Sequence, residues 1–246
     1  MSMRIFLAGA SGVIGRRLIP QLRQAGHHVT GMTRSAQSAG LLERLGAAAV
    51  TADVFDAEGL AAAITAARPD IVVHQLTDLA LLGDPARYAE ASARNARIRE
   101  VGTRNLVDAT RAAGIGRMVA QSIAWAYAPG AARREEDPLD RDAPPPRATT
   151  VRGVAALEDA VLHTAGLRGT VLRYGQLYGP GTARAQPSGT APVHVDAAAR
   201  AALLAVERDV AGIFNIAEPN STVATDKAVA ELGWDPAYRL AASPAL

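Results

Sequence analysis

Short apolar runs alternate along this chain with longer segments in which apolar residues recur every three to four positions. The runs have the period of buried strands, and the longer segments that of helices laid over them. Strand character is found at Arg4 to Ala8, His28 to Thr33, Ala47 to Thr51, Ile71 to Gln75, Arg117 to Gln121, Thr170 to Tyr174 and Ile213 to Ile216. Leu18, Ile19, Leu22 and Ala25 mark the first helical stripe. Ile98, Val101, Leu106, Ala109 and Ala113 keep one apolar face through a predicted helix from Pro85 to Ala113, which Gly114 stops. Another small helix is predicted at Thr222 to Leu232. Strands and helices in strict alternation predict an α/β fold, a Rossmann-like doubly wound parallel sheet with helices on both faces.

Two stretches fit neither period. Ala128 to Thr149 contains Pro144-Pro145-Pro146, and Gly179 to Pro192 is rich in Gly, Pro, Ser and Thr. Both follow strands at the end where open α/β sheets bind ligands. They read as mobile walls or a lid over a small molecule, or as plain surface loops.

The turn Gly9-Ala10-Ser11-Gly12-Val13-Ile14-Gly15 joins the first strand to the first helix. Here a strand must reverse sharply and open a helix whose free N–H groups face a diphosphate, and glycine permits the torsions and the close backbone approach. The chain then divides, within one domain of residues 1–246, into a mainly dinucleotide-binding part (1–178) and a small C-terminal substrate lobe with one returning strand (179–246). The second strand ends in Met32-Thr33-Arg34-Ser35, without the acid that holds a ribose hydroxyl in NAD-specific sites. Arg34 suits a phosphate, with a hydroxyl from Thr33 or Ser35 and charge from Arg16 or Arg17 nearby, so the expected cofactor is NADPH.

The 26 basic and 24 acidic residues nearly cancel and are dispersed, so neither nucleic acid nor a membrane surface is an expected partner. Cysteine is absent, which removes disulfides, thiol nucleophiles and thiolate metal sites, and no metal is expected. Met1 to Arg4 lead straight into a strand and no apolar run could span a bilayer. A cytoplasmic protein, monomer or homodimer, acting on a small-molecule ketone is the expectation.

Further motifs follow in order: Asp53 in Thr-Ala-Asp-Val-Phe-Asp, Val72-Val-His74-Gln75-Leu76, Gly102-Thr-Arg-Asn-Leu106, Leu172-Arg-Tyr174-Gly-Gln176-Leu177-Tyr178-Gly-Pro180, His194-Val-Asp196 and Leu232-Gly-Trp234. With the glycine turn, they make the chain resemble the extended or atypical short-chain dehydrogenases/reductases, the NAD(P)-dependent epimerase/dehydratase group. The resemblance implies that Asp53 accepts from the adenine amino group while Val54 packs on the ring. It also implies that Gln75 and Leu76 lie along the cofactor ribose and pyrophosphate, and that Tyr174 to Leu177 border the nicotinamide; Gln121 is a further cofactor candidate. The full set of expected cofactor residues is thus Gly9, Ser11, Gly12, Val13, Ile14, Gly15, Arg34, Ser35, Asp53, Val54, Gln75, Leu76, Gln121, Tyr174, Gln176 and Leu177.

One expected motif is missing. Members of the group carry Tyr-x-x-x-Lys after the fifth strand, but the single lysine here is Lys227. Aligned through Ala156-Leu157-Glu158, Thr150 stands at the tyrosine position and Val154 at the lysine position. Arg152 is rotated to the opposite side of the helix. Ser122 is the candidate for positioning a carbonyl. Tyr127 and Tyr178, a water molecule or a substrate hydroxyl are the candidate proton sources. Trp125 either lines the cavity or fills the core, and His194 either braces a loop through hydrogen bonds or acts as a base. The leading expectation is an NADPH-dependent ketoreductase for a bulky, polycyclic aromatic ketone, with Ser122, Trp125, Tyr127 and Tyr178 around the substrate. In this the chain resembles tailoring ketoreductases of aromatic polyketide pathways, of the angucyclinone (simocyclinone-type) kind. A dinucleotide-sensing binding protein and a non-redox isomerase or cyclase are the alternatives.

Overall fold

The structure, a computed structural model, describes residues 1–78 and 85–240. The end of the predicted lobe, 241–246, lies outside them. Seven strands, β1 (Arg4–Ala8), β2 (His28–Thr33), β3 (Ala48–Thr51), β4 (Ile71–His74), β5 (Arg117–Ile123), β6 (Arg168–Tyr174) and β9 (Gly212–Ile216), form one sheet in the order β3-β2-β1-β4-β5-β6-β9. Every pairing in it is parallel. Alternate residues of each strand serve opposite faces, as the two-residue period requires. Ile5, Leu7, Val73, Val119 and Leu172 join one core with Leu18 and Leu22 of α1 (Val13–Gln24), Leu42 of α2 (Ala36–Arg44) and the alanine-rich α7 (Val195–Arg208). Phe6, Val72, Met118 and Val171 join the other, under Ile64 of α3 (Ala57–Ala67), Leu106 of α5 (Thr103–Ala112) and Leu157 of α6 (Arg147–Leu162).

The long helix predicted from Pro85 to Ala113 is realised as α4 (Tyr88–Arg97) and α5, joined without a break by a widened π-type turn at Ile98–Gly102. Close packing accompanies that turn, since a Cβ on Gly102 would come within 3.0 Å of Val54 Cγ1. Such turns inside helices recur at functional sites.

Two short strands escaped the period analysis. β7 (Gln176–Tyr178) pairs with β8 (Pro192–His194) in a separate small sheet. They hold the ends of the 179–191 loop together. His194 accepts from the Asp196 N–H at 3.2 Å and so caps α7. The predicted helix at Thr222 to Leu232 shrinks to a turn around Ala228–Leu232, followed by the buried Trp234, whose indole N–H donates to the Ala197 carbonyl at 2.8 Å.

Strand order reverses at β1, whose neighbours β2 and β4 lie on either side, and a crevice opens there beyond the carboxyl ends of the strands. His74 is fully buried at the end of β4. Its Nδ1 accepts from the Leu76 N–H at 3.1 Å, so Nε2 carries the proton toward Thr103 Oγ1 at 3.0 Å. Burial, and secondarily the charge of Arg99, lowers its pKa from 6.5 to about 3. The neutral ring therefore contributes stability that is complete above pH 6.5 and is lost as the pH falls toward 3, because the unfolded chain takes up the proton first. Urea unfolding should lose up to about 1.4 kcal/mol per pH unit through this window. His74→Gln should flatten that slope; an unchanged slope would show that other groups carry it.

Candidate active site

The crevice widens into a cavity of about 640 Å³. On one side its wall is formed by Gly12, Val13 and Ile14 at the start of α1. Gly9 makes this possible by adopting φ +85°, and an added Cβ there would strike the Gln75 carbonyl. At Gly15 a Cβ would strike the Ala10 carbonyl, so α1 sits directly on the turn. Gly12 differs, because a Cβ there would meet the Gly9 carbonyl oxygen at 3.2 Å and otherwise enter open space. The turn brings the start of α1, where a helix leaves N–H groups without partners, to the cavity, which fits a dinucleotide pyrophosphate.

The floor comes from the strand ends. Gln121 Nε2 donates to the Leu76 carbonyl at 3.0 Å, and Gln75 Nε2 to the Tyr174 hydroxyl at 3.4 Å. Gln75 Oε1 is buried without a partner among the described residues. Burial raises the Tyr174 pKa, against the opposing effect of the Gln75 hydrogen bond, which keeps this phenol a weak acid. Gln75, Gln121, Tyr174, Gln176 and Leu177 all line the cavity. Arg34, Ser35, Asp53 and Val54 lie at the ends of β2 and β3, outside its lining. Arg34 is exposed, Ser35 caps α2 by accepting from the Ser38 N–H, and Asp53 accepts from the Phe55 N–H at 2.9 Å. Val54 is buried, and Ser11 is half-buried in the turn.

Ser122 and Trp125 line the cavity, as does Thr150 from α6. Val154, at the expected lysine position, is fully buried, and Arg152 turns outward to Glu100 at 3.0 Å. The Ser122 hydroxyl donates to Glu158 Oε1 at 2.7 Å, and Glu158 is held by Arg173 through bonds of 2.8 and 2.6 Å. Both ions are buried. Burial pulls the Arg173 pKa down, but the Glu158 hydrogen bonds and charge outweigh it and raise the value. With its proton committed to an ionised carboxylate, Ser122 offers the cavity only lone pairs.

Three expectations need correction. Tyr127 is buried away from the cavity, its hydroxyl donating to Asn215 Oδ1 at 2.7 Å and its ring lying 4.6 Å from the Arg173 guanidinium carbon. Tyr178 opens onto a different surface pocket, where its hydroxyl donates to Glu218 at 2.7 Å and accepts from Arg239 at 2.9 Å. Burial is the main cause raising both pKa values, so neither phenol is disposed to give up a proton. The stretch from Ala128 to Thr149 is no lid. Arg147 fastens it to Asp140 and to the carbonyls of Trp125 and Tyr127, and none of its residues lines the cavity. The other stretch does contribute, through Gly181, Thr182 and Ala183.

Besides Thr77, four lining residues on one helical run escaped the reading of the sequence: Tyr88, Ser92, Asn95 and Arg99. They stand at i, i+4, i+7 and i+11 along one helical run, a spacing that puts them on one face. Asn95 is committed to the backbone of Asp78, accepting from its N–H at 3.0 Å and donating to its carbonyl at 2.5 Å. The Ser92 hydroxyl is buried without a partner among the described residues. Arg99 is 8% exposed. Burial lowers its pKa to about 10, against the influence of Glu158 and Tyr88, so it remains a cation at neutral pH. No carboxylate, histidine or lysine lines the cavity among the described residues.

Comparison with known proteins agrees with this geometry. Residues 5–193 match the model of the NAD dependent epimerase/dehydratase family. A 3-diazoavenalumate denitrifying reductase from a Streptomyces species is 46% identical over 238 residues, covering 88% of this chain and 76% of that protein. Among solved structures, a UDP-glucose-4-epimerase from Stenotrophomonas maltophila with bound NAD superposes with a TM-score of 0.79 at 17% identity, covering 96% of this chain and 94% of that one. The Bordetella bronchiseptica enzyme WbmG in complex with NAD gives 0.75 at 19% identity, over 98% and 91%. The structural matches show the fold, and the reductase relative supports an oxidoreductase role with a nicotinamide cofactor. By the family match over most of its length, the chain belongs to the NAD dependent epimerase/dehydratase family.

Proposed function

We propose that the protein is an NADPH-dependent reductase that passes hydride to an aromatic acceptor without a tyrosine and lysine proton relay. One observation carries this reading: the start of α1, which fits the cofactor pyrophosphate, shares a cavity with Thr150, next to the buried Val154, where the relay is expected. When bound, the cofactor supplies the hydride. The turn from Gly9 to Gly15 would hold its pyrophosphate, Asp53 and Val54 its adenine, Gln75, Leu76 and Gln121 its middle, and Tyr174, Gln176 and Leu177 its nicotinamide. Arg34 and Ser35, at the end of β2, would hold a ribose phosphate. Arg34→Ala should weaken NADPH binding about 10- to 100-fold and spare NADH, as titrations with both cofactors would show; equal weakening would argue against phosphate recognition.

Trp125, Ile123 and Leu177 give the cavity flat and apolar walls for an aromatic ring. Holding reactants in attack geometry supplies roughly 7–11 kcal/mol, more than the ~10²- to 10⁴-fold of a general acid, so the site loses the smaller term. An acceptor that needs no proton suits it best. The Streptomyces relative is named for a diazo substrate and for denitrification. In reductive loss of dinitrogen from an aryl diazonium, the C–N bond breaks with its electron pair leaving on N₂, the hydride pair forms the C–H bond, and no proton is consumed. We therefore favour an aryl diazo acceptor.

A polycyclic aromatic ketone is the second reading, favoured by the apolar walls, with the proton drawn from water or a substrate hydroxyl. NADPH oxidation assayed over aryl diazonium acids and polycyclic hydroxyketones decides between them: N₂ release coupled to oxidation supports the first, alcohol formation the second. Cofactor bound but never oxidised would overturn both, in favour of a sensor, or of an isomerase if substrate is consumed.

A further inference from the structure

Arg99 is a cation buried in the cavity wall with neither a hydrogen bond nor an ion pair among the described residues. Glu158 influences it electrostatically, but both oxygens of that carboxylate are occupied by Arg173, and one also by Ser122. A buried charge with no partner is destabilising, and proteins keep one where something else completes it. Ser92, one heptad earlier on the same face, has a hydroxyl buried without a partner among the described residues. Long helical side chains lean toward the helix N-terminus, which directs the Arg99 guanidinium back along the face that carries Ser92. The widened turn at Ile98–Gly102 sets the orientation of Arg99 in that run.

We infer that Arg99, with Ser92, is an anion subsite that binds an oxyanion of the substrate, a carboxylate or a phenolate, so that the aromatic substrate is taken up as an anion. This rests on reading the cavity as a substrate site. A planar guanidinium presents paired donors to a carboxylate and a single strong donor to a phenolate, and in a wall otherwise apolar or neutral it selects against uncharged analogues. The subsite discriminates by charge, whereas the walls around Trp125 discriminate only by shape.

The test uses protein saturated with NADP⁺, where no turnover occurs, titrated calorimetrically with 4-hydroxycinnamate, its methyl ester and 4-methoxycinnamate. The wild-type protein should bind 4-hydroxycinnamate about 10- to 100-fold more tightly than the ester if the carboxylate is the bound anion, or than the methoxy acid if the phenolate is. Arg99→Met should erase that preference, Arg99→Lys should retain part of it, and NADP⁺ affinity should not change. Because an uncompensated charge is removed, Arg99→Met should melt no lower than the wild type. Equal binding of all three probes to the wild type, or none, overturns the inference. So does a preference that survives in Arg99→Met, or a loss of NADP⁺ affinity there, which would assign Arg99 to the cofactor. Should the wild type fail to bind NADP⁺, the reading of the site as a nicotinamide pocket fails instead, and the same titrations of the cofactor-free protein still decide the anion subsite.

Discussion

Glu158→Ala should remove about 3–5 kcal/mol of stability, a large part of the roughly 5–15 kcal/mol that holds an average domain folded. Glu158 receives two hydrogen bonds from Arg173 and one from Ser122, all within 2.8 Å, and every partner is buried. Truncation leaves the Arg173 guanidinium charged beside the Tyr127 ring, with the Glu135 carbonyl, at 3.2 Å, still accepting from it. Urea unfolding of the variant measures the loss. The pair ties α6 to β5 and β6, so its removal also loosens the wall that bears Thr150 and Ser122. A loss under about 1 kcal/mol would mean that the pair behaves as a solvated surface bridge.

The second large effect separates two glycines of one turn. Gly9→Ala should both destabilise the fold by about 3 kcal/mol or more and abolish dinucleotide binding. The residue sits at φ +85°, which costs an L-residue about 1–2 kcal/mol, and its new methyl would press on the Gln75 carbonyl and reach 2.9 Å from the Leu76 nitrogen, forcing β1 and β4 apart. Gly12→Ala should fold normally, because Gly12 has φ −71° and its Cβ would meet only the Gly9 carbonyl oxygen, at 3.2 Å. That methyl would instead occupy the space the pyrophosphate needs, so binding should fall at unchanged melting temperature. Thermal melts with and without NADPH test the contrast; equal melting losses in both variants would show that the turn is steric packing alone.

Much of the fold is legible along the chain because its cause is local. β1 and β2 have the predicted limits, since the buried run Ile5 to Ala8 ends at the glycine turn and β2 is bounded by Gly26 before it and the exposed Arg34 after it. The glycine turn is legible because its requirement is a backbone conformation, which few residues meet. The proton-delivery site is legible only as a loss, through Thr150 and Val154. Tyr127 and Tyr178 were misplaced because their positions depend on Asn215 and Glu218, 88 and 40 residues away in sequence. Arg99 was missed because charged residues in a helical stripe ordinarily face solvent; only the fold shows that this stripe faces a cavity. The start of α6 at Arg147 was hidden by the prolines before it, although proline is well tolerated where a helix begins.

Hydride transfer without a protein acid is tested most directly with NADPH deuterated at the transferring position and an aryl diazonium acid as acceptor, followed in water and in heavy water. The predicted result is deuterium on the product carbon, one N₂ released per NADPH oxidised, and the same rate in both solvents. A product free of deuterium, or a reaction that slows in heavy water, would contradict it.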